Sequence, residues 1–324
     1  MMENHTIDDL RMLQALPLDI KIAMTCTRIR AWVNEYGFDG VYISFSGGKD
    51  STVLLDIARN ECGYDYMKAM FIDVPTQYPE LKQFAMSFEN VDVVKPKISF
   101  VEVCKKYGFP LISKDVATKT YLARKYNPEI DPVKYSSAYI RFTDDCKYPQ
   151  FNVSHYKYML EAPFDISETC CKIMKKDPAK KYEKLTGRHP IMAQLAVESR
   201  LRTMRWLNHG CNAFNGLRPI SNPMAFWTEQ DILQYIYERQ LKICSVYGKV
   251  IKEDDVYKTT GCKRTGCMLC GFGVHLEKSP NRFEMLKESH PGMYKLLDTC
   301  SNNGVSFREA IEWCNEHGNL NIKL

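Results

Sequence analysis

The sequence predicts an α/β chain, a doubly wound parallel sheet followed by a helical, cysteine-bearing C-terminal region. Two observations predict it. Short β-branched or aromatic runs recur early in the chain: VYISF at 41–45, MKAMFIDV at 67–74 and VDVVKP at 91–96. Continuous apolar runs of this kind suit strands covered on both faces. Stretches of helical character separate them, and a β-loop-α-β-α-β order makes neighbouring strands parallel.

Residues 7–36 read as helix. Ile7, Leu10 and Leu13 fall at three-residue spacing, and Ile22, Cys26, Ile29 and Val33 repeat at i, i+4, i+7 and i+11. Pro17 divides the stretch and Gly37 ends it. SGGKDS (46–51) follows the first strand, and TVLLDIARN (52–60) reads as helix ending near Gly63. Pro79-Glu80 opens a helix through about Asn90. Between 120 and 165 lie seven tyrosines, Tyr121, Tyr126, Tyr135, Tyr139, Tyr148, Tyr156 and Tyr158, with no clear period. We read an insertion or substrate-facing excursion there, against the plainer alternative of aromatic packing under a long loop. HPIMAQLAVES (189–199) contains a fourth strand. Thr228 and Asp231 form a capping box ahead of the apolar face Ile232, Leu233 and Ile236. From about Ser245 strand character is lost, and the loop GCKRTGCMLCGFG (261–273) leads into a C-terminal helical pair. The expected segments are 1–37, helical; 38–244, the sheet with an insertion at about 120–165; and 245–324, the cysteine loop and helices.

Composition excludes several classes. The chain has 324 residues, 45% apolar and 26% charged, which is globular and not disordered. No run approaches the roughly 18 apolar residues that span a bilayer, so no membrane partner is expected. The first residues carry Glu3, Asp8 and Asp9 and no basic-then-apolar pattern, so a cytoplasmic location is expected. The net charge of +5 does not by itself call for nucleic acid.

SGGKDS carries chemistry. Gly47 and Gly48 let the backbone approach an anion, and the helix start offers free N–H groups and partial positive charge. Lys49 adds a full charge, and Ser46 and Ser51 add hydroxyl donors. This is a phosphate cradle, although it does not match G-x-x-x-x-G-K-[ST].

The chain has 13 cysteines. Eight are scattered and read as small buried hydrophobes: Cys26, Cys62, Cys104, Cys146, Cys211, Cys244, Cys300 and Cys314. Cys170-Cys171 and Cys267-x-x-Cys270 together supply four thiolates, a set that suits zinc or an iron–sulfur cluster. Cys262 is an alternative fourth ligand, a reactive thiol, or neither. The basic run from Lys172 to Arg188 reads as a solvated helix face, and with Lys263 and Arg264 as a candidate phosphate or nucleic-acid surface. His275 reads as structural.

SGGKDS after a strand resembles the PP-loop of the ATP pyrophosphatase (adenine nucleotide α-hydrolase) superfamily. FIDVPTQYPE (71–80) resembles that superfamily's second-strand segment, which places Asp73 at a ligand-binding strand end. The tandem cysteines and distant CxxC resemble the phosphoadenosine phosphosulfate (PAPS) reductase family, whose adenosine phosphosulfate (APS) branch binds a [4Fe-4S] cluster. Lys175 matches a lysine between cluster and substrate in that branch. Glu198, Ser199 and Arg202 resemble its later nucleotide-side motif, and FWTEQDI (226–232) the start of its next helix. The likeness covers roughly residues 38–275.

Two departures matter. The reductases carry a degraded loop, whereas Gly47, Gly48, Lys49 and Asp50 are intact here. Their nucleophile lies in a C-terminal Glu-Cys-Gly-Leu-His motif that FREAIEWCNEHGNLNIKL (307–324) lacks. Both point to the family's iron–sulfur relatives with an intact loop, such as the sulfur-inserting enzyme of DNA phosphorothioation. The resemblance then implies an enzyme that cleaves ATP with Mg²⁺ to AMP and pyrophosphate, activates an acceptor and transfers sulfur using a [4Fe-4S] cluster. Lys49, Asp50 and Lys175 would be catalytic. Cys170, Cys171, Cys267 and Cys270 would be the ligands. A sulfur donor or acceptor protein, or nucleic acid, would be its partner. The alternatives are a sulfite-releasing APS or PAPS reductase, and a non-catalytic nucleotide-binding subunit with structural zinc.

Overall fold

The computed structural model describes residues 5–126, 129 and 131–324; Glu3 and residues 127, 128 and 130 of the tyrosine-rich stretch lie outside them. The contacts group the chain into two interleaved units. The first is residues 1–73, 78–95 and 178–265, and the second is 74–77, 96–177 and 266–324. The sequence predicts three consecutive segments, whereas each of these units is assembled from separate stretches of the chain.

As far as residue 221 the strands are β1 (Val41–Ser44), β2 (Ala69–Ile72), β3 (Val91–Val94), β4 (Leu111–Ile112), β5 (His189–Ile191), β6 (Asn212–Ala213) and β7 (Ile220–Ser221). Six of them make the sheet of the first unit, in the order β3-β2-β1-β5-β7-β6. All pairings are parallel except β6 with β7. The strand order reverses between β1 and β5, the position in such sheets where ligands meet the carboxyl ends of the strands.

Side-chain alternation covers both faces. Val41, Ile43, Ala69 and Phe71 join one core cluster with Ile29, Leu54 and Ile232, from the helices Leu18–Tyr36, Lys49–Asp56 and Glu229–Glu238. Tyr42 and Met70 face the other way, onto Ala179 and Tyr182 of the helix Asp177–Thr186. A fully buried side chain of this size contributes about 1.5–3 kcal/mol. Polar ends on this second face are paired. The Tyr42 hydroxyl donates to Glu183 at 2.7 Å, and Tyr182 donates to Asp92 at 2.8 Å.

Local chemistry explains the helix boundaries. Ile7–Gln14 and Leu18–Tyr36 are separate helices, with Pro17 capping the second and Gly37 at φ 77° ending it. Thr228 and Asp231 form the expected capping box. The expectation that strand character is lost after Ser245 is corrected. Val250–Glu253 and Val256–Thr259 form an antiparallel hairpin.

The second unit is mainly helical. Phe109 stacks on Phe307 at 4.9 Å, and Phe164 meets Trp313 edge-on at 5.5 Å, tying the stretch around 109–164 to the helix Phe307–Gly318. β4 pairs with Gly271–Phe272 in parallel. The amide of Asn302, almost fully buried, donates to the carbonyls of Cys104 and Lys105 in the last turn of the helix Phe100–Tyr107. Its oxygen accepts the Asp165 N–H at 2.7 Å. The tyrosine-rich stretch, read as aperiodic, contains the helices Lys114–Lys125 and Pro132–Tyr139. Tyr135 stacks on Tyr139, and Tyr158 lies against Trp313.

Candidate functional site

The loop at 46–51 leaves the carboxyl end of β1 and enters the helix Lys49–Asp56, as a phosphate cradle requires. Gly47 has φ 70°, and a β-carbon there would lie 2.9 Å from the Leu81 carbonyl oxygen. The position therefore excludes larger residues on two counts. Ser46 and Ser51 brace the loop. Their hydroxyls are 3.0 Å apart, the Ser46 N–H donates to Ser51 Oγ, and Ser51 Oγ donates to the Gly48 carbonyl at 2.9 Å. The Gly48 N–H is directed at Ser46 Oγ at 3.3 Å.

Lys49 is buried, and its ammonium is balanced by Glu229 at 3.2 Å and Asp50 at 3.6 Å. Burial raises the Asp50 carboxyl above its usual range, while the Lys49 and Arg264 charges oppose that shift. Burial also lowers Arg202, which feels Asp50 as an attraction and Arg264 and Arg205 as repulsions. Asp50, Arg202 and Arg264 thus form one electrostatic group around the loop.

The remaining nucleotide-side candidates have structural partners. Asp73 follows β2, and its carboxylate holds Lys82 Nζ at 2.7 Å. Glu198 accepts the Leu195 N–H and pairs with Arg202. Ser199 caps the helix Arg200–His209, accepting the Arg202 N–H. These contacts hold Arg202 in place.

The cysteine set lies in the second unit. Cys170 and Cys171 sit in the turn Thr169–Cys171, which runs into the π-helical segment Lys172–Lys176. Single π-turns of this kind often accompany functional sites. Cys267 and Cys270 lie on one turn, closed by the Cys270 N–H to the Cys267 carbonyl at 3.2 Å. Burial raises the Cys170 thiol, and Cys267, Cys171 and Cys270 raise it further. Burial likewise raises Cys270, with Cys267 and Cys171 adding to it. Lys175 is raised chiefly by the charge of Cys267, to which its ammonium donates. The four thiols therefore share one environment with the Lys175 ammonium, and the Arg282 guanidinium stands beside Cys270, donating to its carbonyl at 2.9 Å. Among the described residues, no three His, Cys, Asp or Glu side chains close on a point that would hold a single metal ion. The donor set is chemically suited to a thiolate-bound group, and Lys175 offsets part of the negative charge that four thiolates would gather.

Cys262 belongs to the first unit, where its thiol donates to the Tyr78 hydroxyl at 3.8 Å. His275 pairs with the Tyr156 hydroxyl at 3.1 Å, in keeping with a structural role. Of the eight scattered cysteines, all but Cys146 are buried, and every cysteine is a free thiol. Tyr247 and Thr265 went unnoticed in the sequence. They stand beside Gly48, but lie some two hundred residues beyond it with no motif to mark them.

The sequence matches the family model for the phosphoadenosine phosphosulfate reductase domain over residues 40–129 and 112–271. Those spans include the loop at 46–51 and all five grouped cysteines. No curated protein matches the chain. A crystal structure of phosphoadenylyl-sulfate (PAPS) reductase from Candida auris, a phosphate complex, is similar at 15% identity, with a TM-score of 0.38. That likeness covers 74% of this chain and 90% of that one.

Proposed function

The chain belongs to the phosphoadenosine phosphosulfate reductase family, and on that premise we propose that it is an ATP-cleaving enzyme of sulfur transfer. In this reading the loop at 46–51 binds the β,γ-phosphates of ATP. The observation that carries it is the Gly47 approach at the helix start, with the Lys49 ammonium held beside the loop between Asp50 and Glu229. An acceptor oxygen attacks the α-phosphorus, the bond to the bridging oxygen breaks, and pyrophosphate leaves with the bond's electron pair. Sulfur then displaces AMP from the activated acceptor.

This chain's residues have defined tasks in that scheme. Lys49 and the backbone N–H groups at the helix start stabilise charge gathering on the pyrophosphate. Ser46 and Ser51 keep the loop open for it, and Asp50 orients the Lys49 ammonium. Arg202, fixed by Glu198 and Ser199, adds a second cation on the nucleotide side. Asp73 lies at the end of β2, where such sheets meet ligands. Magnesium, when bound, would neutralise phosphate charge. Cys170, Cys171, Cys267 and Cys270 would hold a [4Fe-4S] cluster, which would be structural or electrostatic if each thiolate binds one iron; only a cluster with one iron left unligated by the protein could carry sulfide. Lys175 would tune the charge of that group. Zinc is the alternative metal for the same four thiols.

The experiment is Lys49→Ala. The folded variant should bind ATP at least tenfold more weakly and form no AMP, with little change in melting temperature. Wild-type AMP production by that variant would remove the assignment of the loop.

The family match favours a second reading, release of sulfite from APS or PAPS. Against it stand the intact loop and a C-terminal helix Phe307–Gly318 whose Cys314 is fully buried.

A further inference from the structure

The loop at 46–51 has a second wall that no motif announces, the segment 244–265 of the same unit. Tyr247 is 2% exposed, and its hydroxyl pairs with the Thr265 hydroxyl at 2.7 Å. Both hydroxyls stand over Gly48. A β-carbon built there would lie 3.3 Å from the Tyr247 oxygen and 3.8 Å from Thr265 Oγ1. The backbone N–H of Lys49, which has no partner within its own helix, bonds the same phenol oxygen.

The segment is built to hold that tyrosine still. The Gly261 N–H donates to the Tyr247 carbonyl at 2.9 Å, and the Cys262 N–H donates to the Val246 carbonyl at 2.8 Å. A β-carbon on Gly261 would lie 2.5 Å from the Val246 oxygen, so only glycine lets the chain at 261 approach the turn Ser245–Tyr247 this closely. The hairpin Val250–Glu253/Val256–Thr259 closes its far end.

Resting on the reading of the loop as an ATP site, we infer that Tyr247 is a phosphate-binding residue, with Thr265 as its hydroxyl partner. Burial raises the phenol to about 12, so it keeps its proton at neutral pH and remains a donor. The two hydroxyls satisfy one another. When a phosphate oxygen reaches the helix start, the phenol O–H turns to donate to it, and the Thr265 hydroxyl donates to the phenol oxygen. Only hydrogens need move, so the cradle is pre-organised and its phosphate gains a donor that the motif lacks.

The test is calorimetric titration with magnesium pyrophosphate of the wild type, Tyr247→Phe, Thr265→Val and Lys49→Ala, with melting temperatures for each. Tyr247→Phe keeps the buried ring and loses only the hydroxyl. A hydrogen bond to a charged group predicts roughly a tenfold or greater loss of affinity in that variant. Thr265→Val should weaken binding by a smaller factor. If Tyr247→Phe binds like the wild type while Lys49→Ala does not bind, this inference fails and the reading of the loop stands. If the wild type does not bind pyrophosphate, both fail. Should Tyr247→Phe fold poorly, Thr265→Val decides, and wild-type affinity in it overturns the inference.

Discussion

The Lys49 ammonium lies 3.2 Å from Oε1 of Glu229, the first residue of the helix Glu229–Glu238. The loop's one full positive charge is therefore already countered before any anion arrives. A phosphate must compete with that carboxylate, which is about half exposed and hence partly screened. Glu229→Gln should raise pyrophosphate affinity roughly threefold at low ionic strength, an advantage that disappears near ~1 M salt. Unchanged affinity at low salt would mean that the pair does not restrain the lysine.

The thiol set makes a metal prediction. Cys267→Ser and Cys270→Ser should each lose bound iron and sulfide from anaerobically purified protein, and the second unit should lose stability with them. Cys146→Ser is the control, because that thiol faces the Tyr148 carbonyl at 3.5 Å and is outside the set. Full iron content in either of the first two variants would contradict the ligand assignment. Zinc in place of iron would identify the alternative metal.

Stability of the first unit should depend on one buried ion pair. Lys21 is 1% exposed, and its ammonium reaches Asp231 and the Gln14 carbonyl, each at 2.7 Å. Asp231 also caps its helix by accepting from the Thr228 N–H and hydroxyl. Removing one partner strands the other charge, so Lys21→Met should cost about 3–5 kcal/mol in denaturant unfolding. A cost below about 1 kcal/mol would show that the pair is dispensable.

Residues at 41–51 were legible because three short-range signals agree there: a β-branched run, a glycine pair and a helix start. Each cysteine pair was legible as a local spacing, whereas the approach of Cys170 and Cys171 to Cys267 and Cys270 depends on tertiary folding. The hairpin at 250–259 was missed for a definite reason. Its turn, Asp254-Asp255, has φ 45° and 61° and carries no glycine, the usual mark of such a turn. In the tyrosine-rich stretch, Pro132–Tyr139 starts from the cap Asp131, but its only buried residue is Ala138, so no apolar period was available to read. Tyr247 and Thr265 meet the loop only through tertiary folding, and nothing local to them pointed to phosphate.

On the proposed function, this family member works on ATP and not on a sulfonucleotide. The direct measurement is product analysis of anaerobic, cluster-reconstituted protein offered magnesium ATP, APS and PAPS in the presence of a thiol, with ATP binding followed in the same preparation. ATP should bind, pyrophosphate should displace it, and no sulfite should be released from APS or PAPS. Thiol-dependent sulfite release from either, by protein that fails to bind ATP, would contradict the proposed function.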